Sequence, residues 1–315
     1  MNKNQIESGC EKWLEINDVP TCIQVWGGWT EEEIPTDTVI LIVTGNPGIT
    51  DFYVTFMKAL QAKCGNYPVW VIGQAGHVFH PKCPPVSQRP ELYDLEGQVK
   101  HKKEFINTYV PKSKKLILVG HSIGAKICVE LMKDESIDRR VEQVHLMMPC
   151  LEHIGETRNG YWFQRAGVKI FPWLRTFAAV LNYIPVAIQL FVLKILSTIR
   201  FRSTTVDVDV LHGVIKLSNT AVVGQAVYLA KDEMVKVKER DDDVLERIGT
   251  KTFAYYSQKD GWSPLEHYEN LRKRHRNIRA VVVNRSVEHA FMVHHSALMA
   301  EEVAFNILPL TSAVS

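Results

Sequence analysis

A chain of 315 residues, 46% hydrophobic and 23% charged, has the composition of an ordinary globular protein. Its length suits one large α/β domain carrying an insertion, or two small domains. A net charge of +2 leaves no global electrostatic case for a nucleic-acid partner.

The chain order begins with Met1-Asn-Lys-Asn-Gln-Ile-Glu-Ser8, which lacks an apolar core, so no secretory signal is expected. Cys10, Cys22, Cys64, Cys83, Cys128 and Cys150 are scattered without a Cys-x-x-Cys pair, which predicts reduced thiols facing the cytosol. From Trp13 to Trp29, apolar and polar residues alternate around a break at Asn17-Asp18-Val19-Pro20, the pattern of an antiparallel hairpin at a sheet edge. Val39–Val43 predicts a buried strand that runs into the turn Thr44-Gly45-Asn46-Pro47-Gly48. A helix is expected from about Asp51, with Phe52, Phe56, Met57 and Leu60 apolar, and then a strand from Tyr67 to Ile72. Gln74 to Pro90 reads as loop. His77, His80 and Cys83 fall at three-residue spacing there, but zinc needs a further ligand cluster that the sequence lacks, so no metal site and no cofactor are expected. A polar helix follows from about Tyr93 to Val110, with Leu95, Val99, Phe105, Ile106 and Tyr109 on one face.

Leu116–Val119 is a buried-strand run leading directly into Gly120-His121-Ser122-Ile123-Gly124 and then helix-compatible sequence. Gly-x-Ser-x-Gly arises by chance often enough to mean little alone; between a strand and a helix it has the context of a nucleophile elbow. The glycines are needed because a strand turning at once into a helix strains the serine backbone and leaves no room for side chains two residues away. Gln143–Met148 is the next strand, closed by Pro149. After an interval, Thr252–Tyr256 and Arg279–Val283 resume the alternation, with a last helix ending near Asn306. The basic run Arg272-Lys-Arg-His-Arg276 reads as a solvated helix C-terminus.

Alternating strands and helices predict a doubly wound parallel sheet, whose active site lies beyond the carboxyl ends of its strands. Three strand ends then supply Ser122, Asp260 and His289, in the chain order of an α/β-hydrolase triad. Histidine is suited to activate a serine because it titrates near neutrality, and an acid fixes its tautomer. Glu152 is an alternative acid, and His294 and His295, placed inside the final helix, are alternative bases. An acyl-transfer site also needs backbone donors for an oxyanion. Ile123, after the nucleophile, offers one; Asn46 offers the second, since Pro47 has no N–H. An ordinary βα turn is the alternative for that loop.

Residues 1–149 and 248–315 form the expected core, and 150–247 the insertion. Tyr161-Trp-Phe, Ile170–Leu174 and Phe177–Ile199 are strongly apolar, and the last is long enough to cross a bilayer. Pro185 splits it, Asn182 and Gln189 interrupt it, and Arg175, Lys194, Arg200 and Arg202 surround it. A lid in contact with a lipid surface is the favoured reading, ahead of a plain lid and a spanning helix. Val214–Ala230 predicts a helix, and Asp241-Asp-Asp243 a solvated charge run.

Thr44-Gly45-Asn46-Pro47-Gly48-Ile-Thr-Asp51-Phe-Tyr53, Gly120–Ala125 and Glu288-His289-Ala290-Phe291 together resemble the lipid droplet-associated serine hydrolase family over nearly the whole chain. The Gly-Asn-Pro-Gly loop is the discriminating feature. The resemblance implies an α/β-hydrolase fold, residence on the cytosolic face of lipid droplets and the endoplasmic reticulum, and hydrolysis of a lipid ester, with cholesteryl ester the suggested substrate. It carries the triad onto Ser122, Asp260 and His289. The rival reading is a weakly active or non-catalytic droplet-surface protein acting in lipid storage through its apolar insertion, residues 160–200.

Overall fold

The computed structural model describes residues 9–200 and 206–307; the expectations for Met1–Ser8 and Arg202 lie outside them. Eight strands form one sheet in the order β1-β2-β4-β3-β5-β6-β7-β8. They are β1 (Cys10–Ile16), β2 (Val19–Trp26), β3 (Thr38–Val43), β4 (Val69–Ile72), β5 (Lys115–His121), β6 (Val141–Met147), β7 (Thr252–Tyr256) and β8 (Arg279–Val282). β1 pairs antiparallel with β2, and β2 with β4; every pairing from β4 to β8 is parallel. The edge hairpin closes through Asn17 and Asp18, at φ 50° and 63°. Two left-handed residues are what a two-residue turn needs to follow strand twist, and Asn and Asp tolerate them.

Successive side chains of the central strands face opposite ways, and both faces are covered. Leu41, Val43, Leu116 and Leu118 pack with Phe105 and Ile106 of α2 (Leu95–Tyr109), and with Ile127 and Leu131 of α3 (Ile123–Leu131). Ile40, Ile42, Ile117 and Val119 face the other way. They meet Phe56, Met57 and Leu60 of α1 (Val54–Cys64) and Met299, Val303 and Ile307 of α12 (Ser296–Ile307). The remaining helices are α4 (Glu135–Asp138), α5 (Arg158–Trp162), α6 (Val168–Leu181), α7 (Val186–Arg200), α8 (Val208–Leu217), α9 (Thr220–Lys236), α10 (Asp242–Ile248) and α11 (Leu265–Arg274). Since β3 is flanked by β4 and β5, the connections after β3 and β5 leave in opposite directions, opening a crevice at their carboxyl ends.

Helices fill the interval between β6 and β7. Pro185 separates α6 from α7, and Gln189 Nε2 bridges the break by donating to the carbonyls of Leu181 (3.0 Å) and Ile184 (2.7 Å). Among the described residues no helix is long and apolar enough to cross a membrane. Large side chains on both helices and on the turn between them stand in the open, among them Trp173 (76% exposed), Phe177, Tyr183 (90%, in the turn) and Phe191.

Three expectations need correction. The helix expected over Val214–Ala230 is two helices, because the Asn219 side chain accepts from the Ala221 N–H (2.9 Å) and starts α9 anew. His294 and His295 precede α12 rather than lying within it. The Asp241–Asp243 run is not merely solvated. Asp241 pairs with Lys133 (2.9 Å) and with Lys126, an almost buried ammonium on α3, while Asp242 accepts from Arg240 Nε (2.6 Å) and lies 2.8 Å from His275 Nε2. These contacts tie α10 and the segment before it to the core.

Burial opposes ionisation of Asp241, but the bonds from Lys126 and Lys133 outweigh it and lower its pKa from 3.8 to about 2. A carboxylate more acidic in the folded state contributes stability above its unfolded value and loses it as pH falls through the folded one. Asp241→Asn is therefore expected to lower stability at neutral pH and to flatten its fall between pH 3.8 and about 2, as measured by urea unfolding across that range.

Candidate active site

Ser122 joins β5 to α3 with φ 56° and ψ −123°, a conformation costly for any residue with a Cβ. Two glycines make it possible. A Cβ on Gly120 would stand 2.6 Å from the Gly124 carbonyl oxygen, and one on Gly124 would stand 2.3 Å from the Val43 carbonyl oxygen. The turn is thus pressed against both its own helix and the end of β3. The Ser122 N–H donates to the Met147 carbonyl (3.0 Å), and its carbonyl accepts from the Cys150 N–H (3.2 Å). The strain is held by bonds on both sides.

The loops after β7 and β8 bring Asp260 and His289 to the same point. Asp260 Oδ1 accepts from the Trp262 and Ser263 amides (2.7 and 2.9 Å), which aims Oδ2 at His289 Nδ1, 2.6 Å away. His289 Nε2 lies 2.9 Å from Ser122 Oγ. A carboxylate only accepts, so Nδ1 carries the imidazole hydrogen and Nε2 is left to accept from the serine hydroxyl. Glu152, the alternative acid, accepts instead from Arg240 Nη1 (2.8 Å). Cys150 Sγ is 3.5 Å from Ser122 Oγ, and burial drives its thiol well above the usual range, keeping it uncharged.

Thr44–Gly48 lies against this row: a Cβ on Gly45 would be 3.0 Å from Ser122 Cβ. The loop is gripped at both its ends. Gln74 Nε2 donates to the Thr44 carbonyl (2.6 Å), and the Gly45 N–H donates to Tyr53 Oη (2.8 Å). Gly48 donates to His77 Nδ1 (2.8 Å) and accepts from the Gln74 N–H (3.1 Å). Burial and the neighbouring Lys102 lower the His77 pKa to about 3, so the ring stays neutral and can accept. The spacing of His77, His80 and Cys83 thus serves a loop contact at its first member. The Asn46 side chain reaches the insertion, donating from Nδ2 to the Ala226 carbonyl and to Glu233 Oε1, both at 3.0 Å. Ile123 is the first residue of α3, where amides have no partner within the helix.

Tyr53 and His121, which the sequence reading passed over, connect the two halves of the site. Tyr53 Oη is 2.7 Å from His121 Nδ1, and His121 Nε2 is 3.0 Å from the His289 carbonyl oxygen. That carbonyl can only accept, so Nε2 bears the hydrogen, Nδ1 accepts, and the tyrosine hydroxyl donates to it while accepting from Gly45. Burial, with His289 nearby, pushes the His121 pKa well below its usual value, consistent with a neutral ring.

Asn46, Ser122 and His289 open into a cavity of about 400 Å³, walled by Leu174, Phe177 and Leu181 of α6 and by one side of α9. An apolar chamber with a few convergent polar groups at one end is the ordinary form of a small-molecule site. It can receive an apolar chain and present a polar junction to Ser122.

The elbow, the strand order and the crevice define an α/β-hydrolase. Solved structures agree: a bacterial membrane phospholipase A matches at TM-score 0.68 and 14% identity, over 97% of this chain and 88% of that one. A putative lipase from Acinetobacter baumannii matches at 0.68 and 15%, over 98% and 94%. At sequence level, the family model described as Lipid-droplet associated hydrolase covers residues 36–292, and the chain belongs to that family. Relatives named lipid droplet-associated hydrolase are 34% identical in Drosophila melanogaster (92% of this chain, 95% of that protein) and 31% in Homo sapiens (93% of each).

Tyr53→Phe strands the buried Gly45 N–H and the His121 acceptor together. An unfolding free energy lowered by about 1–3 kcal/mol is expected, measured by denaturant titration, and a loss below half a kcal/mol would show that this link is idle.

Proposed function

We propose that the chain is a serine hydrolase of lipid esters that works at a lipid surface. Ser122 attacks the ester carbonyl after His289 takes its proton, and the amides of Asn46 and Ile123 hold the oxyanion. His289, oriented by Asp260, protonates the departing alcohol and then activates the water that frees the acid. The observation that carries this reading is the hydrogen-bonded row Asp260–His289–Ser122 at the mouth of an apolar cavity. The names of the relatives support a lipid substrate and droplet association. Cholesteryl ester is the substrate the family resemblance suggests, and the same resemblance suggests the endoplasmic reticulum as a second location on the cytosolic side.

Residues 150–247 serve as the lid on the core formed by 1–149 and 248–315. Within it, 160–200 supply the lipid-facing surface, where aromatic and aliphatic side chains of α6 and α7 stand exposed in number.

A fluorophosphonate probe is expected to label the wild type and not Ser122→Ala; undiminished labelling of that variant would contradict the assignment. Asp260→Asn should reduce kcat about 10³-fold or more, measured on a panel of cholesteryl, glyceryl and short-chain esters. Removal of Phe177–Ile199 should release the protein from droplets in a flotation assay. Should Ser122→Ala retain every cellular effect while that deletion abolishes it, the protein acts as a droplet-surface scaffold instead.

A further inference from the structure

Glu233 sits four turns into α9, on the stripe Val222, Ala226, Leu229, Glu233 that faces the core. It is 4% exposed and lines the cavity with Ser122 and His289. Its Oε1 accepts one of the two hydrogens of Asn46 Nδ2, and the Ala226 carbonyl, two turns earlier on the same helix, accepts the other. Among the described residues Glu233 has no ion pair. A lone buried carboxyl without an ion pair is costly in its charged form, which favours the protonated one.

We propose that Glu233 is a positioning residue for ester cleavage: a carboxylic acid supplied by the lid, which fixes Asn46 at the oxyanion loop and works only while uncharged. The inference rests on the serine hydrolase reading above. The reason is electrostatic. Attack by Ser122 creates a negative charge that the Asn46 amide is placed to receive. A neutral carboxyl holds the asparagine without opposing that charge, whereas a carboxylate in the same low-dielectric cavity repels it.

The surroundings favour the neutral form. Burial, with a smaller push from Asp232, outweighs the Asn46 bond and raises the Glu233 pKa to about 8. Within α9, Asp232 is paired with Lys236, which also holds Asp94, the N-cap of α2, and Glu96 in its first turn. The turn of residues 154–156 brings Glu156, paired with His153 (3.0 Å). α6 carries Lys169 and Arg175, and α8 carries Asp209, His212 and Lys216, the last held by Asp51 and Glu11. On the core side stand the uncharged Cys150 thiol and the His289–Asp260 pair.

The test is the rate of fluorophosphonate labelling of Ser122 in the full-length protein between about pH 6 and pH 10. In the wild type the rate should fall at least tenfold above about pH 8. Glu233→Val, which removes the acceptor, should lower the pH 7 rate about tenfold or more. Glu233→Gln, which keeps the oxygen and cannot ionise, should rescue that rate and abolish the alkaline fall. An unchanged pH profile in Glu233→Gln, or wild-type labelling in Glu233→Val, overturns the proposal; absence of Ser122 labelling in the wild type overturns the hydrolase reading instead. Should either variant fold poorly, carbon-13 NMR of labelled glutamate side chains in the wild type decides: a Glu233 carboxyl already ionised at pH 6 refutes the inference.

Discussion

The constraint on which the rest depends is steric: a serine held at φ 56° between a strand and a helix, against the backbone of a neighbouring strand. The elbow is tolerable only because Gly120 and Gly124 lack side chains and because Met147 and Cys150 bond the serine backbone on either side. The closeness of Gly124 to Val43 and Thr44 has a second effect. It places the β3 loop beside the serine, at the crevice made by the strand order.

Holding that loop requires buried polar groups, and the protein invests several. Beneath it Lys102 is fully buried and donates to Gln74 and Gln98, while Gln98 also accepts from the Ala75 N–H (2.7 Å). Burial pushes the Lys102 ammonium well below its usual pKa, which lowers the cost of holding it there. Each of these groups costs free energy if orphaned and adds rigidity when partnered. The Thr44–Gly45 peptide is held from both sides, by Gln74 at its oxygen and by Tyr53 at its nitrogen. A site assembled from loops thereby gains the stiffness of a packed element.

Much of this was legible in the residue order. The buried strands announce themselves as apolar runs because both faces are covered; in the edge hairpin only β1 is open to solvent, while β2 is buried almost throughout. Glycine spacing located the elbow, and proximity to the end of the last strand selected His289 over His294 and His295, while Glu152 stayed open beside Asp260. What escaped the sequence shares one cause: polar side chains whose meaning depends on partners far along the chain. Gln98, His101 and Lys102 lie on the inward face of α2 but read as solvent-facing on composition. Asp241 meets a lysine 115 residues away, and nothing local distinguishes it from a solvated acid. Tyr53 and His121 were visible only as neighbours of motif residues. Glu233 did leave a trace, since the i, i+4, i+7, i+11 spacing from Val222 puts it on a buried stripe. The Ser218–Asn219 break left one too, in a residue pair that favours helix starts.

The chain from Gly45 through Tyr53 and His121 to the His289 carbonyl has one further implication. Its hydrogens permit a single arrangement, because the first group can only give and the last can only receive. Such a series retains no orientational disorder, and no proton can be passed along it, since the terminal amide oxygen is too weak a base to keep one. It is a strut and not a wire: it locks the distance between two loops while staying outside the proton traffic of the imidazole it supports.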